Sequence, residues 1–180
     1  MSNVIDIDKG WSRILKSIKD ADKMFVKAGI LSTAGTAENG MSMAKLGTIH
    51  EYGAPKVGIP ARPFMRQTFE RIRGDIVNFN KKQVESIILG KSTAAKSLKL
   101  LGVYVTNEIK REFTSGKFEE NKPSTIRAWQ RLGAVGKAKQ NASNGGAGVQ
   151  NGKFKSMATG KRPLIATGRL RNSINFEVSK

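Results

Sequence analysis

Two long periodic segments separated by one glycine constrain this chain more than anything else in it. From Pro63 to about Leu89 apolar residues recur at Met65, Phe69, Ile72, Ile76 and Phe79, and these spacings of four and three mark one face of an amphipathic helix. From Ser92 to Phe113, Leu98, Leu101, Val105 and Ile109 form a second stripe, with Gly90 between the two segments. The two helices are expected to pack as an antiparallel pair. An unbroken first helix would be about 40 Å long at ~1.5 Å per residue, against a radius of gyration of ~16 Å for a compact domain of this size. Such a helix either kinks near Gly74 or protrudes as a spine, and of the two a kink or break between Gly74 and Asn80 is expected.

The first of these helices begins at a proline-rich clamp. Leu46 to Arg73 reads LGTIHEYGAPKVGIPARPFMRQTFERIR, in which Pro60 and Pro63 fix their own φ and push Ile59 and Arg62 into extended backbone. Pro63 suits the first helical turn, where its missing N–H costs nothing. Arg62, held between two prolines beside Phe64, is stiff enough to present its guanidinium to a partner at low entropic cost; the alternative is a salt bridge inside the fold.

Around this pair the remaining elements are short. Asp8 is placed to cap a first helix in which Trp11, Ile14, Leu15 and Ile18 share one face, and that face is expected to meet a core. Phe25 to Leu31 reads as a strand with a close-packed or bulged position at Gly29, and Gly35 to Gly40 as a mobile surface loop. Met41 to Tyr52 reads as a helix stopped by Gly53. Ser124 is placed to cap a short helix carrying Ile126 and Trp129, with Trp129 either anchoring that helix in the core or making a contact. Gly133 to Arg162 has the Gly, Asn, Ser and Lys content of a long flexible basic loop or insertion. Thr167 is placed to cap a final helical turn at Gly168, Arg169 and Leu170, and Ile174, Phe176 and Val178 alternate in a closing strand that pairs most simply with the Phe25 strand or with another edge of a small sheet. The expected class is α+β, one domain over residues 1–180: a small, mostly antiparallel sheet against a long amphipathic helical pair.

A chain of 180 residues suffices for one core that buries roughly 70% of the surface exposed by the unfolded chain. It has no cysteine, hence neither disulfides nor thiolate metal sites. No segment approaches the ~20 apolar residues needed to span a bilayer and the start is acidic, so a soluble protein made in the cytoplasm, with no membrane partner, is expected. His50-Glu51 lacks the second histidine of a zinc helix, Ala54 standing in its place, and the chain holds no other histidine. Gly90-Lys91-Ser92 lacks the first glycine of a phosphate loop, because Glu85 stands there. The pairs Asp6 and Asp8, and Glu119 and Glu120, have the charge to bind a cation, but neighbouring carboxylates in polar surroundings are usually solvated, and that reading is the expected one. No enzymatic activity, cofactor or metal is expected. His50 is read as structural, holding one hydrogen bond, rather than as a pH switch.

Charge is the extreme quantity. Lys+Arg number 32 against 14 Asp+Glu, a formal net charge of +18, which favours polyanionic partners. Between Glu120 and Glu177 every charged residue is basic. Within that third Lys137, Lys139, Lys153, Lys155, Lys161 and Arg162 are the candidate polyanion contacts, and a solvated face is the alternative reading of such a run. A basic nucleic-acid-binding protein is accordingly one functional class to carry forward. Aromatic content of only 7% and the lack of a recognisable helix-turn-helix or RNA-binding signature weigh against it.

HEYG at 50–53, IPARPF at 59–64 and PLIATGRLRNSINFEV at 163–178 resemble, in the same order, segments of the tail-completion and virion-morphogenesis proteins of tailed phages, and PSTIRAW at 123–129 fits the segment usually found between them. The stretch from Gly133 to Arg162 has no counterpart in that resemblance. The resemblance implies a structural virion protein at the neck or tail end, made in the host cytoplasm. It would assemble with itself as a ring, sixfold like the tail tube, and with neck, tail-tube or connector proteins around a DNA conduit. It also implies an assembly interface at His50, Tyr52, Arg62, Phe64, Arg169 and Arg171.

Overall fold

The computed structural model describes residues 10–37, 40–120, 122, 123, 127 and 168–179. Asp8, the helix at Ser124 with Ile126 and Trp129, the stretch Gly133–Arg162 and Thr167 lie outside the described residues. The elements run α1 (Trp11–Asp22), β1 (Phe25–Ile30), a 3-10 turn (Ser32–Ala34), α2 (Met43–Tyr52), a second 3-10 turn (Pro55–Val57), α3 (Phe64–Ile88), α4 (Ala94–Ser115), α5 (Arg169–Asn172) and β2 (Ile174–Ser179). Helices with a small antiparallel sheet make this an α+β fold, as the periodicities predict.

α3 and α4 form the antiparallel pair. Their register can be followed through side chains: Phe64 against Phe113 with ring centroids 4.7 Å apart, Arg71 on Glu108 at 2.7 Å, Phe79 stacked on Tyr104 at 6.3 Å, and Ser97 donating to Gln83 at 2.9 Å. Thr93 caps α4, its hydroxyl accepting from the Lys96 N–H at 3.3 Å, and Gly90 (φ 72°) makes the turn between the helices. The expected break near Gly74 does not occur. α3 is one helix of 25 residues, about 37 Å at ~1.5 Å per residue. An interior glycine costs a helix only ~1 kcal/mol relative to alanine, whereas the stripe through Ile72, Ile76 and Phe79 packs along the common core past that point, so packing outweighs propensity.

β1 and β2 pair antiparallel without a bulge, from Phe25↔Ser179 to Ile30↔Ile174, with Val26↔Val178 and Ala28↔Phe176 on the face toward the core. At Gly29 (φ 147°) the close-packed reading holds: an added Cβ would stand 2.5 Å from Met65 Cε. The sheet lies on α4, and Gly102 permits that approach because a Cβ there would overlap the Phe176 ring. The core unites both layers: Phe64, Ile72, Leu101, Val105, Ile109, Phe113, Leu170 and Ile174 are buried together.

The two helical glycines give opposite expectations. Gly74 has nothing within 4 Å of where an added Cβ would stand, so Gly74→Ala should raise stability by about 0.5–1 kcal/mol through helix propensity alone. Gly102→Ala gains the same propensity but drives a methyl into Phe176, and overpacking costs ~1–3 kcal/mol, so its net effect should be a loss of about 1–2 kcal/mol. Urea midpoints of the two variants, measured side by side, check both signs.

α1 corrects a second expectation. It forms, with Gly10 (φ 103°) at its N-cap, but its apolar face does not enter the core: Trp11 is 64% exposed, Leu15 38% and Ile18 48%. The helix rests on α3 and α4 through the adjacent line of half-buried Ile14, Ser17 and Ala21, and Arg13 lies over Gly90 at the tip of the hairpin. The described part of the Gly35–Gly40 segment is a bridged turn, with Thr36 paired to Ser42 and the Ala37 N–H donating to Met41 O at 2.7 Å. α2 starts at Met43, its cap Ser42 accepting from the Lys45 N–H at 3.2 Å, and α5 is preceded by Gly168 (φ 69°) as its N-cap.

Candidate functional site: the clamp between α2 and α3

Gly53 (φ 74°) ends α2 and brings the chain back on itself so closely that an added Cβ would stand 2.7 Å from Ala61 N and 2.9 Å from Ile59 O. Both of those are backbone atoms, which cannot give way. Ala54 and Ile59 then exchange hydrogen bonds of 2.9 and 3.1 Å, closing a small loop whose tip carries Lys56 and Val57, the latter 70% exposed. The returning strand of the loop docks on α2 when the Arg62 N–H donates to His50 O at 2.7 Å. Pro63 is the N-cap of α3, one residue before the position expected for it.

Pro63 offers no side-chain cap, yet every N–H of the first turn of α3 has an acceptor. Phe64 N–H donates to Arg62 O at 2.7 Å and Gln67 N–H to Pro63 O at 3.0 Å. The two between them are met by Glu51, from the last turn of α2: Met65 N–H donates to Oε2 at 2.9 Å and Arg66 N–H to Oε1 at 3.0 Å. Arg66 Nε also donates to Oε1 at 3.1 Å, and Arg66 Nη2 to the Glu51 carbonyl at 3.0 Å. A buried carboxylate thus caps the positive end of a neighbouring helix. Sequence reasoning missed this role of Glu51. The available signal was a helix starting at Pro63 with no Ser, Thr, Asp or Asn before it to act as cap.

Beside this cap lies an open groove of about 440 Å³ lined by Ile30, Ala44, Gly47, Thr48, Glu51, Tyr52, Met65, Arg66, Phe69 and Glu70. Its rim bears Tyr52, 64% exposed, with the Arg66 guanidinium 5.0 Å from the ring centroid, and Phe69, 40% exposed. Exposed Tyr, Arg and Phe side chains around an apolar groove are the residue types that dominate protein contact surfaces. Arg66 was not among the residues singled out from the sequence, and Phe69 was read there only as part of the apolar stripe of α3.

The residues that were singled out divide. Tyr52 is on the surface, as an interface residue must be. Phe64 is fully buried, in contact with Phe113, and belongs to the core. Arg62 is only 4% exposed and points inward, its Nε donating to Glu119 O at 3.2 Å, so it is an internal strut tying the clamp to the segment after α4 and is not presented to a partner. Burial lowers its proton affinity, and Glu119 acts in the opposite direction. His50 is half-buried, and its Nδ1 has no hydrogen-bond partner among the described residues. Burial pushes its imidazole down to about 4, and the Arg62 guanidinium adds to that shift, so the ring is neutral at pH 7.

Arg169 is exposed on α5, while Arg171 is half-buried and donates from Nε to Lys110 O at 3.2 Å. α5 packs against both α2 and α4, and Leu170 approaches within 3.8 Å of a Cβ placed on Gly47. The two ends of the chain's motif set, 50–64 and 168–178, therefore share one core. Lys137, Lys139, Lys153, Lys155, Lys161 and Arg162 lie outside the described residues. Among the described residues no cluster of three or more His, Asp or Glu side chains is arranged to hold a metal, and no helix is long and apolar enough to cross a membrane. Comparison of the chain with protein-family models, with curated proteins and with solved structures returns no match.

Proposed function

We propose that this chain is a structural component of a tailed phage or of a phage-derived tail, a protein that assembles with itself into a ring, sixfold in the simplest case, at the neck or tail end. There it completes the tail and joins it to neck, tail-tube or connector proteins. The observation that carries this reading is the joint packing of the motif-bearing segments. HEYG and IPARPF build the clamp, RLRNSINFEV builds α5 and β2, and Phe64 of the first set shares a core with Leu170 and Ile174 of the second. Motifs that build one structural unit support a common origin better than motifs scattered over the chain would. The work such a protein does is binding. The exposed Tyr52, Arg66 and Phe69 around the groove, and Val57 at the loop tip, supply contact surface without reactive chemistry.

Deletion of the gene from its phage tests the reading. Heads and tails that accumulate unjoined, or tails with abnormal ends, are expected while genome replication continues. Blocked replication with normal particle morphology would overturn it. The net charge of +18 favours a second reading, a nucleic-acid-binding protein outside any particle, for which deletion would leave assembly intact.

A further inference from the structure

α4 separates its charges by side. Its two acids, Glu108 and Glu112, face α3 and are held there by Arg71 at 2.7 and 3.2 Å. Lys96, Lys99 and Lys110 lie on the other side, within about 60° of one another on the helix circumference at ~100° per residue. Among the described residues none of the three has a carboxylate within 4.0 Å. Arg171 extends the row, since its Nε is anchored on the Lys110 carbonyl at 3.2 Å. Val103 and Asn107, both exposed, fill the space between the lysines. The row from Lys96 to Lys110 measures about 21 Å at ~1.5 Å per residue, the rise of about six base pairs at ~3.4 Å each.

We infer that this solvent face of α4, carried by Lys96, Lys99 and Lys110 and extended by Arg171, is a contact surface for the phosphate backbone of double-stranded nucleic acid. Several observations favour that partner. The face is uniformly cationic in a chain already at +18. Its charges are lysines, compact point charges on flexible stems, which suit a backbone read without sequence preference. Among the described residues it carries no aromatic side chain on which an unpaired base could stack, which favours duplex over single strand. This surface is separate from the groove at the clamp, which no residue of α4 lines, and it operates whether or not the chain forms a ring.

The test is fluorescence anisotropy of a 20-base-pair duplex titrated with the full chain between 50 and 200 mM salt. The combined variant Lys96→Gln, Lys99→Gln, Lys110→Gln is compared with Lys16→Gln, Lys19→Gln, Lys23→Gln, which removes the same charge from exposed positions in and after α1. Each lost phosphate contact lowers the slope of log K against log salt by about 0.9, so the α4 variant should lose about 2.7 of slope. Over that fourfold range of salt, its affinity should fall about 40-fold less than that of the wild type. The α1 variant should retain nearly the wild-type slope. Equal loss in both variants would overturn the assignment by reducing it to bulk charge. Absence of salt-dependent duplex binding by the wild type would also overturn it, as would binding of poly-glutamate, but not DNA, that depends on the three lysines. Urea midpoints of all three proteins should coincide, because the substituted side chains make no described ion pair.

Discussion

Glu51→Ala should destabilise the protein by about 3 kcal/mol, the larger part of it from two backbone groups rather than from the ion pair. Glu51 is 5% exposed and accepts from Met65 N–H at 2.9 Å and Arg66 N–H at 3.0 Å. Truncation leaves both donors at the start of α3 without an acceptor, and a buried unsatisfied donor costs about 1–3 kcal/mol. The carboxylate's favourable position at the positive end of the helix is lost as well, typically worth 0.3–1 kcal/mol. The Glu51–Arg66 pair adds little, because the Arg66 side chain is 54% exposed and such pairs contribute roughly 0–1 kcal/mol. Glu51→Gln keeps one acceptor oxygen and should lose about half as much, whereas Arg66→Ala should cost less than 1 kcal/mol. Urea unfolding of the three variants decides the matter. A Glu51→Ala protein within 0.5 kcal/mol of the wild type would show that the first turn of α3 does not depend on this cap.

Glu51 also illustrates where sequence reasoning stops. Periods are local, so the strands at Phe25 and Ile174, the stripes of α3 and α4, and the stops at Gly53 and Gly90 could all be read from spacing, and the antiparallel pairing of β1 with β2 followed from having two short alternating segments to pair. A cap delivered from the preceding helix depends on the chain reversal at Gly53–Arg62, which places Glu51 over a turn 14 residues later. Spacing does not carry that information.

Direction is the second thing spacing omits. The prolines around Arg62 do stiffen its backbone, but stiffness is neutral as to whether a side chain points out or in. Here the His50 carbonyl and the Glu119 carbonyl hold it inside. The third omission is competition. Trp11, Leu15 and Ile18 form as apolar a stripe as any in the chain, yet all three stay exposed, and α1 meets α3 and α4 along its adjacent line of half-buried Ile14, Ser17 and Ala21. At the candidate site Tyr52 was legible only as part of the HEYG motif. Arg66 and Phe69 were not, because both fall within a periodic helix where nothing local distinguishes rim from core.

Acidification should weaken the fold between pH 6.5 and pH 4 through His50, and replacing this one side chain should remove that part of the loss. The imidazole is half-buried, its Nδ1 lacks a partner among the described residues, and Arg62 stands beside it, so protonation in the folded state would put a second cation into a poorly solvated place. The folded pKa is lowered to about 4 from an ordinary 6.5. Within that interval the unfolded chain binds a proton that the folded chain does not, so stability rises with pH there. The contribution is complete above 6.5, declines as the pH falls toward 4, and changes no further once both states are protonated. At ~1.36 kcal/mol for each pH unit of separation, the full effect is about 3 kcal/mol. Carboxylates as a class titrate at the lower end of the same range, and the wild-type curve alone would mix their protons with that of the imidazole. The difference between wild type and His50→Gln isolates it, since glutamine has a similar reach and no proton to gain. Urea unfolding at pH 7 and pH 4 should show the wild type losing about 3 kcal/mol more than the variant. Parallel losses in the two proteins would mean that the ring protonates in place, and that it is better solvated in the folded clamp than its burial beside Arg62 implies.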